Sequence, residues 1–451
     1  MNGNQIKQLL FLCCCFLYAT QTNAATLILY DAPAGAQSAN DFEVRINNQR
    51  TFVYNTRPAA FAYFSFNGTV NVTVVCPGEI YSYDIRPKQK AIVATIYRNE
   101  IHFTLSGPCN ISIEINKNIK RPLFLFANPL ETTIHKRGTP NVLFYEKGKI
   151  HEVGLVNVSS NQTVYIEGGA IVRGSFIAKG KNIRLLGRGV LDNSRYTRGE
   201  ARPIEIYQSD GVLLDGFIIT ESKHWTAGCY ASRNVTYRNL KIVSDNDWDD
   251  GIDIVGSQNV LVDSCFIRTK DDCIAVKAGV GYFTKFENSY NVDSVTIQNS
   301  VLWNGVWGNG MEIGFETRTD TIKNILFKNC DVIHTEGPEG TFTIHNGDRA
   351  VIKNVRYQDI RVEDAKGYLI DFKILDSQYT KDKKKGVIDQ VYFQNITVEG
   401  NVFPTSLLLG FDEQHKISNV TLDNVLIHGK KAGSAYDAML ATIHIENLSF
   451  R

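Results

Sequence analysis

One ten-residue alternation of apolar and polar positions recurs through the second half of the chain. It reads Gly211-VLLDGFII-Thr220, Asn234-VTYRNLKI-Val243, Asn259-VLVDSCFI-Arg268 and Ser294-VTIQNSVL-Trp303. It returns as Asn324-ILFKNCDV-Ile333, Asn354-VRYQDIRV-Glu363, Gln390-VYFQNITV-Glu399 and Asn419-VTLDNVLI-His428. Successive copies begin 23 to 36 residues apart, a spacing typical of solenoids. The second and fourth places are Val, Ile, Leu, Tyr or Phe, the period-2 inner face of a strand. The sixth place is Gly216, Asn239, Ser264, Asn299, Asn329, Asp359, Asn395 and Asn424, mostly types that tolerate a left-handed backbone or bond their own turn. A second apolar alternation follows at once. Strand, tight bend and strand, repeated and stacked, predicts a right-handed parallel β-helix over 131–451. Leucine-rich repeats are excluded by the lack of fixed leucine spacing, and stacked helices by the β-branched content.

The preceding stretch, 25–130, has a different rhythm. Short alternations at Thr26–Tyr30, Phe42–Ile46, Val70–Val75, Ala91–Tyr97, Ile101–Leu105 and Ile111–Ile115 are parted by turn signals such as Asn67-Gly68 and Pro77-Gly78. They predict a small β-sandwich with no catalytic constellation, serving as support or sugar contact. The apolar run from Pro122 to Pro129 reads as its exit toward the helix. Residues 1–24 read as a signal peptide: Lys7, the short apolar stretch Leu9–Tyr18, then Thr22-Asn23-Ala24 as the cleavage site. The expected location is therefore secreted or periplasmic.

Charge narrows the field of partners. With 48 Lys+Arg against 47 Asp+Glu, no overall field draws the chain to nucleic acid, and no apolar run is long enough for a membrane span. A monomer acting on a polysaccharide or oligosaccharide, with no cofactor and no metal, is the expectation. Beyond the signal segment six cysteines remain; Cys76 and Cys109 are the best candidate pair, whereas Cys265, Cys273 and Cys330 lie in apolar runs as small hydrophobes. No CxxC occurs, which argues against zinc.

The densest acidic stretch is Asp245-Asn246-Asp247-Trp248-Asp249-Asp250-Gly251-Ile252-Asp253, followed about one coil later by Lys270-Asp271-Asp272-Cys273-Ile274-Ala275-Val276-Lys277. Residues one coil apart stack at the strand spacing of ~4.8 Å, so Asp250, Asp271 and Asp272 should converge on one face. Crowded carboxylates repel one another, and one of them should keep its proton near neutral pH. Glycosidic cleavage asks for that pairing of a protonated carboxyl with an ionised one. Two other readings of the acids are a calcium site and solvated turn residues. Trp248 within the cluster suits a sugar ring. In Trp303-Asn304-Gly305-Val306-Trp307-Gly308-Asn309-Gly310-Met311-Glu312, Trp307 is the better stacking candidate, because Trp303 ends a repeat phrase and fits the core. His345, on the next coil, is a further candidate for substrate contact.

These segments resemble the polygalacturonases of glycoside hydrolase family 28. That family carries Asn-Thr-Asp-Gly-x-Asp, Gly-Asp-Asp-Cys-Ile-Ala-x-Lys, Gly-His-Gly-x-Ser-x-Gly and Arg-Ile-Lys on consecutive coils. The first is similar to Trp248-Asp249-Asp250-Gly251-Ile252-Asp253, which keeps the Asp-Gly-x-Asp, and the second to Lys270-Asp271-Asp272-Cys273-Ile274-Ala275-Val276-Lys277. The resemblance implies a pectin-lyase-like β-helix, with Asp271 as general acid and Asp250 and Asp272 holding the attacking water in an inverting hydrolase. Lys277 falls on the motif's lysine and is assigned to substrate binding. The other two motifs depart: the family's histidine falls on Asn309, its serine on Glu312 and its Arg-Ile-Lys on Thr343-Ile344-His345. A threonine cannot pair a uronate carboxylate, so either the sugar is neutral or another residue such as Arg318 recognises the acid. The dextranase and isopullulanase family, glycoside hydrolase family 49, is also similar, with a β-sandwich ahead of the same helix and three corresponding aspartates. The alternatives are thus a dextranase-like hydrolase of a neutral glucan, a calcium-dependent polysaccharide lyase, and a non-catalytic carbohydrate-binding β-helix.

Overall fold

The structure, a computed structural model, describes residues 26–279, 290–400 and 403–451. Residues 1–24, expected as a signal peptide, lie outside the described residues. From Val142–Tyr145 to Ile445–Phe450, thirty strands form one continuous sheet wound as a right-handed parallel β-helix. Among the described residues the one helical element is a 3-10 turn at Lys88–Lys90.

Each coil contributes to three ladders. The first contains the opening half of every ten-residue phrase, as in Asp210–Asp215, Arg233–Arg238, Gln258–Asp263 and Val292–Gln298. Its register aligns Val212, Val235, Val260, Val295 and Ile325 in one column and Leu214, Tyr237, Val262, Ile297 and Phe327 in another. All ten are buried, so the second and fourth places line the interior as the period-2 pattern requires. The second ladder holds Ile218–Thr220, Lys241–Val243, Phe266–Thr269, Val301–Asn304 and Asp331–Thr335. The third holds Ala227–Tyr230, Ile252–Val255, Ile274–Ala278, Met311–Thr317 and Gly340–Asn346.

All eight sixth-place residues adopt positive φ, from Asn329 at 50° to Gly216 at 95°. The first-place residues do so as well, Asn234 at 58° and Asn259 at 52° among them, a second corner that the residue pattern carried unread. Asparagine suits both corners, because it tolerates the left-handed region and its side-chain amide can bond the coil before. Asn259 donates to Asn234 at 2.5 Å, Asn354 to Asn324 at 2.7 Å, and Asn329 to Asn299 at 2.7 Å.

Ahead of the helix, a six-stranded and a five-stranded sheet enclose a separate core that includes Val44, Phe64, Val72, Ile101 and Leu125. Strands Ala60–Phe66 and Leu123–Asn128 are buried at every position and pair in parallel. One face of each belongs to the sandwich core. The other presents Phe61, Tyr63, Phe124 and Phe126 to Ile218, Val243, Phe266 and Trp303 of the second ladder. The run Pro122–Pro129 is thus a strand within the docking interface rather than an exit linker. Continuous hydrophobicity is what burial on both faces demands.

A buried polar cluster accompanies this seam. Arg86 lies 3.2 Å from Glu114 and 2.7 Å from Glu363, while His334 bridges Glu114 at 3.0 Å and Asp364 at 3.1 Å. Burial lowers the affinity of His334 for a proton, but the hydrogen bonds to Asp364 and Glu114 outweigh it and hold its pKa above the ordinary value.

Cys76 and Cys109, expected as a pair, are separate thiols. Cys76 follows a strand of the five-stranded sheet and Cys109 opens one of the six-stranded sheet, so the two start from opposite layers. Cys265, Cys273 and Cys330 are buried among the apolar columns as anticipated.

Trp303 is fully buried at the seam, 5.7 Å from Phe124 and 4.2 Å from His334 between ring centroids. Replacing it by Ala should cost about 3–5 kcal/mol, as for other buried aromatics. The expected result is a lower urea midpoint and faster proteolysis between sandwich and helix; an unchanged midpoint would show that the seam contributes little.

Candidate active site

Register explains why the acids meet. The third ladder pairs Ala227, Ile252, Ile274 and Met311 in one column. Two residues before each of these stand Trp225, Asp250, Asp272 and Asn309, and three before the last three stand Asp249, Asp271 and Gly308. Parallel strands bring the two rows together at the bend entering the ladder. Asp250, Asp271 and Asp272 each place one carboxylate oxygen within 4.8 Å of the others. They line a cleft of about 530 Å³ with Trp248, Trp307 and Lys277.

Each acid is held differently. Asp250 is 2.7 Å from the Lys277 ammonium, which also lies 3.1 Å from buried Asp253 and 3.9 Å above the Trp225 ring. Asp272 accepts from the Asn309 backbone at 2.7 Å and from its side-chain amide at 3.0 Å. Asp271 accepts one bond, from the Asp272 backbone at 3.0 Å. Burial first, and the charge of Asp250 second, push the carboxyls of both Asp271 and Asp272 well above the usual range. Asp272 has two N–H donors and Asp271 one, so hydrogen bonding favours the ionised form more at Asp272. Lys277 stays charged: burial works against its proton, but Asp250 and Asp253 prevail.

Behind this cluster sits Asp249, fully buried, with backbone N–H donors from Asn246, Lys270 and Asp271, each at 2.9 Å. It ties the turn that carries Asp250 to the turn that carries Asp271. Burial lifts its pKa to about 6. Gly308 has φ of 65°, and a Cβ there would stand 2.4 Å from Asp271 Oδ1. Only glycine lets this backbone pass so close to the carboxyl. Asn304 completes the shell, donating to Asp271 O at 2.8 Å and Trp307 O at 2.7 Å.

The remaining expected contacts divide. Trp248 and Trp307 line the cleft with exposures of 36% and 53%, enough to offer ring faces to a ligand. Asn309, Glu312 and His345, expected to touch substrate, are instead buried behind the wall. Asn309 orients Asp272, and Glu312 binds the His345 imidazole at 3.1 Å. Arg318 is a second correction: it lies off the cleft lining and points to Asp382 at 3.7 Å. Arg318 follows the end of strand Met311–Thr317, so the alternation of that strand does not carry it to the face of Glu316.

Trp225, Arg198, Asp247 and Glu339 also line the cleft and escaped the sequence reading. Trp225 was within reach, since carrying the Asp250 column back one coil arrives at it. Arg198 and Glu339 come from turns outside the strand register, where no periodicity points to them.

The three acids could also bracket a divalent cation, given oxygens at this spacing. Lys277 already supplies a fixed positive charge at Asp250.

Comparison with known proteins places the chain in a family. Residues 147–442, more than half of the chain, match glycosyl hydrolases family 28, and the chain belongs to that family. It is 28% identical over 142 residues to "Probable endo-xylogalacturonan hydrolase A" of Aspergillus fumigatus, covering 29% of this chain and 31% of that protein. It is 25% identical over 227 residues to "Probable endopolygalacturonase D" of Aspergillus oryzae, covering 48% of this chain and 42% of that protein. The chain therefore spans less than half the length of these curated relatives. In fold it is similar to the family 28 exopolygalacturonase of Yersinia enterocolitica, with TM-score 0.55, 14% identity and coverage of 85% of this chain and 96% of that one. It is also similar to Dex49A from Penicillium minioluteum, with TM-score 0.54, 13% identity and coverage of 90% and 92%.

Loss of the Asp249 carboxylate would strand three buried amide donors, at about 1–3 kcal/mol for each one left unsatisfied. Asp249→Ala should therefore lower stability by at least about 2 kcal/mol in urea denaturation. A variant as stable as the parent would mean that this carboxylate does not hold the turn.

Proposed function

We propose that the chain is an exported glycoside hydrolase that cleaves a pectic or neutral glycan with inversion, using Asp271 as general acid and Asp250 and Asp272 to hold the attacking water. In this reading 1–24 is the export signal, 25–130 a docked sandwich and 131–451 the catalytic helix. The observation that carries it is the meeting of three unlike carboxyls in a tryptophan-walled cleft: Asp250 ion-paired, Asp272 doubly hydrogen-bonded and Asp271 with one backbone donor.

The reaction follows from those states. A sugar seated against Trp248 and Trp307 presents its glycosidic oxygen to Asp271. Asp271 gives its proton to that oxygen as the bond to the anomeric carbon breaks. Water supplies the new bond to the same carbon, and its proton passes to the carboxylate pair of Asp250 and Asp272. The Lys277 ammonium, 2.7 Å from Asp250, holds that carboxylate in place for this purpose. The oxygens are nearer than the ~6.5–9.5 Å usual between inverting carboxyls and closer to the ~5–5.5 Å of double displacement. Against double displacement stand the partners of Asp250 and Asp272. A carboxylate bound to an ammonium or to two N–H donors is a weak nucleophile but a good water holder. The first product anomer, read by proton NMR, should be inverted; a retained anomer would overturn the water-holding role.

Asp271→Asn should lower turnover by about 10²–10⁴-fold, with unchanged circular dichroism. Undiminished release of reducing ends would remove Asp271 from the reaction. Because the acid must be protonated, activity should fall as pH rises through the elevated pKa of Asp271. Activity should persist in EDTA, with no gain of ultraviolet absorbance in the products. Chelator-sensitive cleavage giving absorbing products would favour a lyase.

A further inference from the structure

The charges around the cleft bear on which sugar can be cut there. Asp247, Asp250, Asp271, Asp272, Glu316 and Glu339 all line it, against two cations, Arg198 and Lys277. Neither cation is at liberty. Lys277 is held between Asp250 and Asp253. Arg198 lies 3.1 Å from Asp247 and stacks 3.9 Å above the Trp248 ring. Lys270, alongside, reaches the same Asp247 at 2.7 Å. The coil beyond offers no replacement: the Thr343 hydroxyl bonds to Met311 O at 3.1 Å, and His345 sits between Glu312 at 3.1 Å and Asp371 at 3.4 Å beneath the Phe315 ring. His345 carries its proton up to about pH 9, yet that charge answers Glu312 and Asp371.

A uronate placed at the cleavage point would thus lose its water beside several acids and gain no unpaired cation among the described residues. It could take Arg198 or Lys270 only in competition with Asp247, which already pairs with both. We infer that the ring cleaved here is uncharged, a neutral sugar or an esterified uronate, and that Asp247 enforces this by occupying both cations a uronate would need. This rests on the hydrolase reading for the location of the cleavage point.

The test uses binding to the full-length Asp271→Asn protein, so it does not depend on turnover. Calorimetry would compare an oligogalacturonate with its methyl ester, and then neutral galactan and arabinan. The ester should bind at least about ten-fold more tightly than the free acid. Adding Asp247→Asn should free Arg198 and Lys270 and raise affinity for the free acid about ten-fold while leaving the ester unmoved. Asp247 is partly exposed, and a thermal melt would show that its variant folds. Ester binding assigns an esterified uronate, whereas galactan or arabinan binding without the ester assigns a neutral sugar. Equal affinities for acid and ester, preference for the acid, an Asp247→Asn protein with an unmoved ratio, or no binding of any of the four would overturn the inference. Intact binding by the parent without hydrolysis would instead overturn the hydrolase reading alone.

Discussion

Parallel pairing at one-coil spacing is the constraint from which the rest of the structure follows. Hydrogen bonding between coils fixes neighbours at about 4.8 Å and keeps like positions in register. Inside the helix this makes apolar columns such as Leu214, Tyr237, Val262, Ile297 and Phe327. At the corners it makes asparagine rungs. At the bend entering the third ladder it stacks Trp225, Asp250, Asp272 and Asn309, so the site is one further column in which carboxylates replace hydrocarbon.

Stacking acids is unfavourable unless their charges are resolved, and the surrounding residues resolve them in different ways. Lys277 pairs with Asp250, the two Asn309 N–H groups bond Asp272, and Asp271 has a single backbone donor, its carboxyl raised by burial and by Asp250. Asp249 and Gly308 contribute through the backbone, the first by bonding two turns together and the second by its lack of a side chain. The same rigid lattice that imposes the crowding also keeps the carboxyls from relaxing apart, which maintains their unlike states.

The sandwich meets the helix on the second ladder, whereas the cleft opens where that ladder bends into the third. Phe124 and Phe126 cover Phe266 and Trp303, and the buried Arg86, Glu114 and His334 cluster locks the seam. Trp303 and Trp307 show how the site and the seam share a coil: four residues apart, one is fully buried under the sandwich and the other half-exposed in the cleft.

Much of this was legible in the residues because a β-helix is a local repeat. The alternation announced the strands, the Gly, Asn, Ser and Asp places announced one corner, and one-coil spacing was enough to bring Asp250, Asp271 and Asp272 together. Tertiary structure decided what repetition cannot encode. Asn309, Glu312 and His345 match motif positions on neighbouring coils but are buried as supports, because burial depends on how those coils close around them. Arg198 and Glu339 reach the cleft from turns with no register to betray them, and the pairing of Asp247 with both Arg198 and Lys270 exists only once separate turns fold against one another. Sequence determines which residues stack along a regular lattice; where the chain leaves the lattice, only the assembled coils determine which side chains meet.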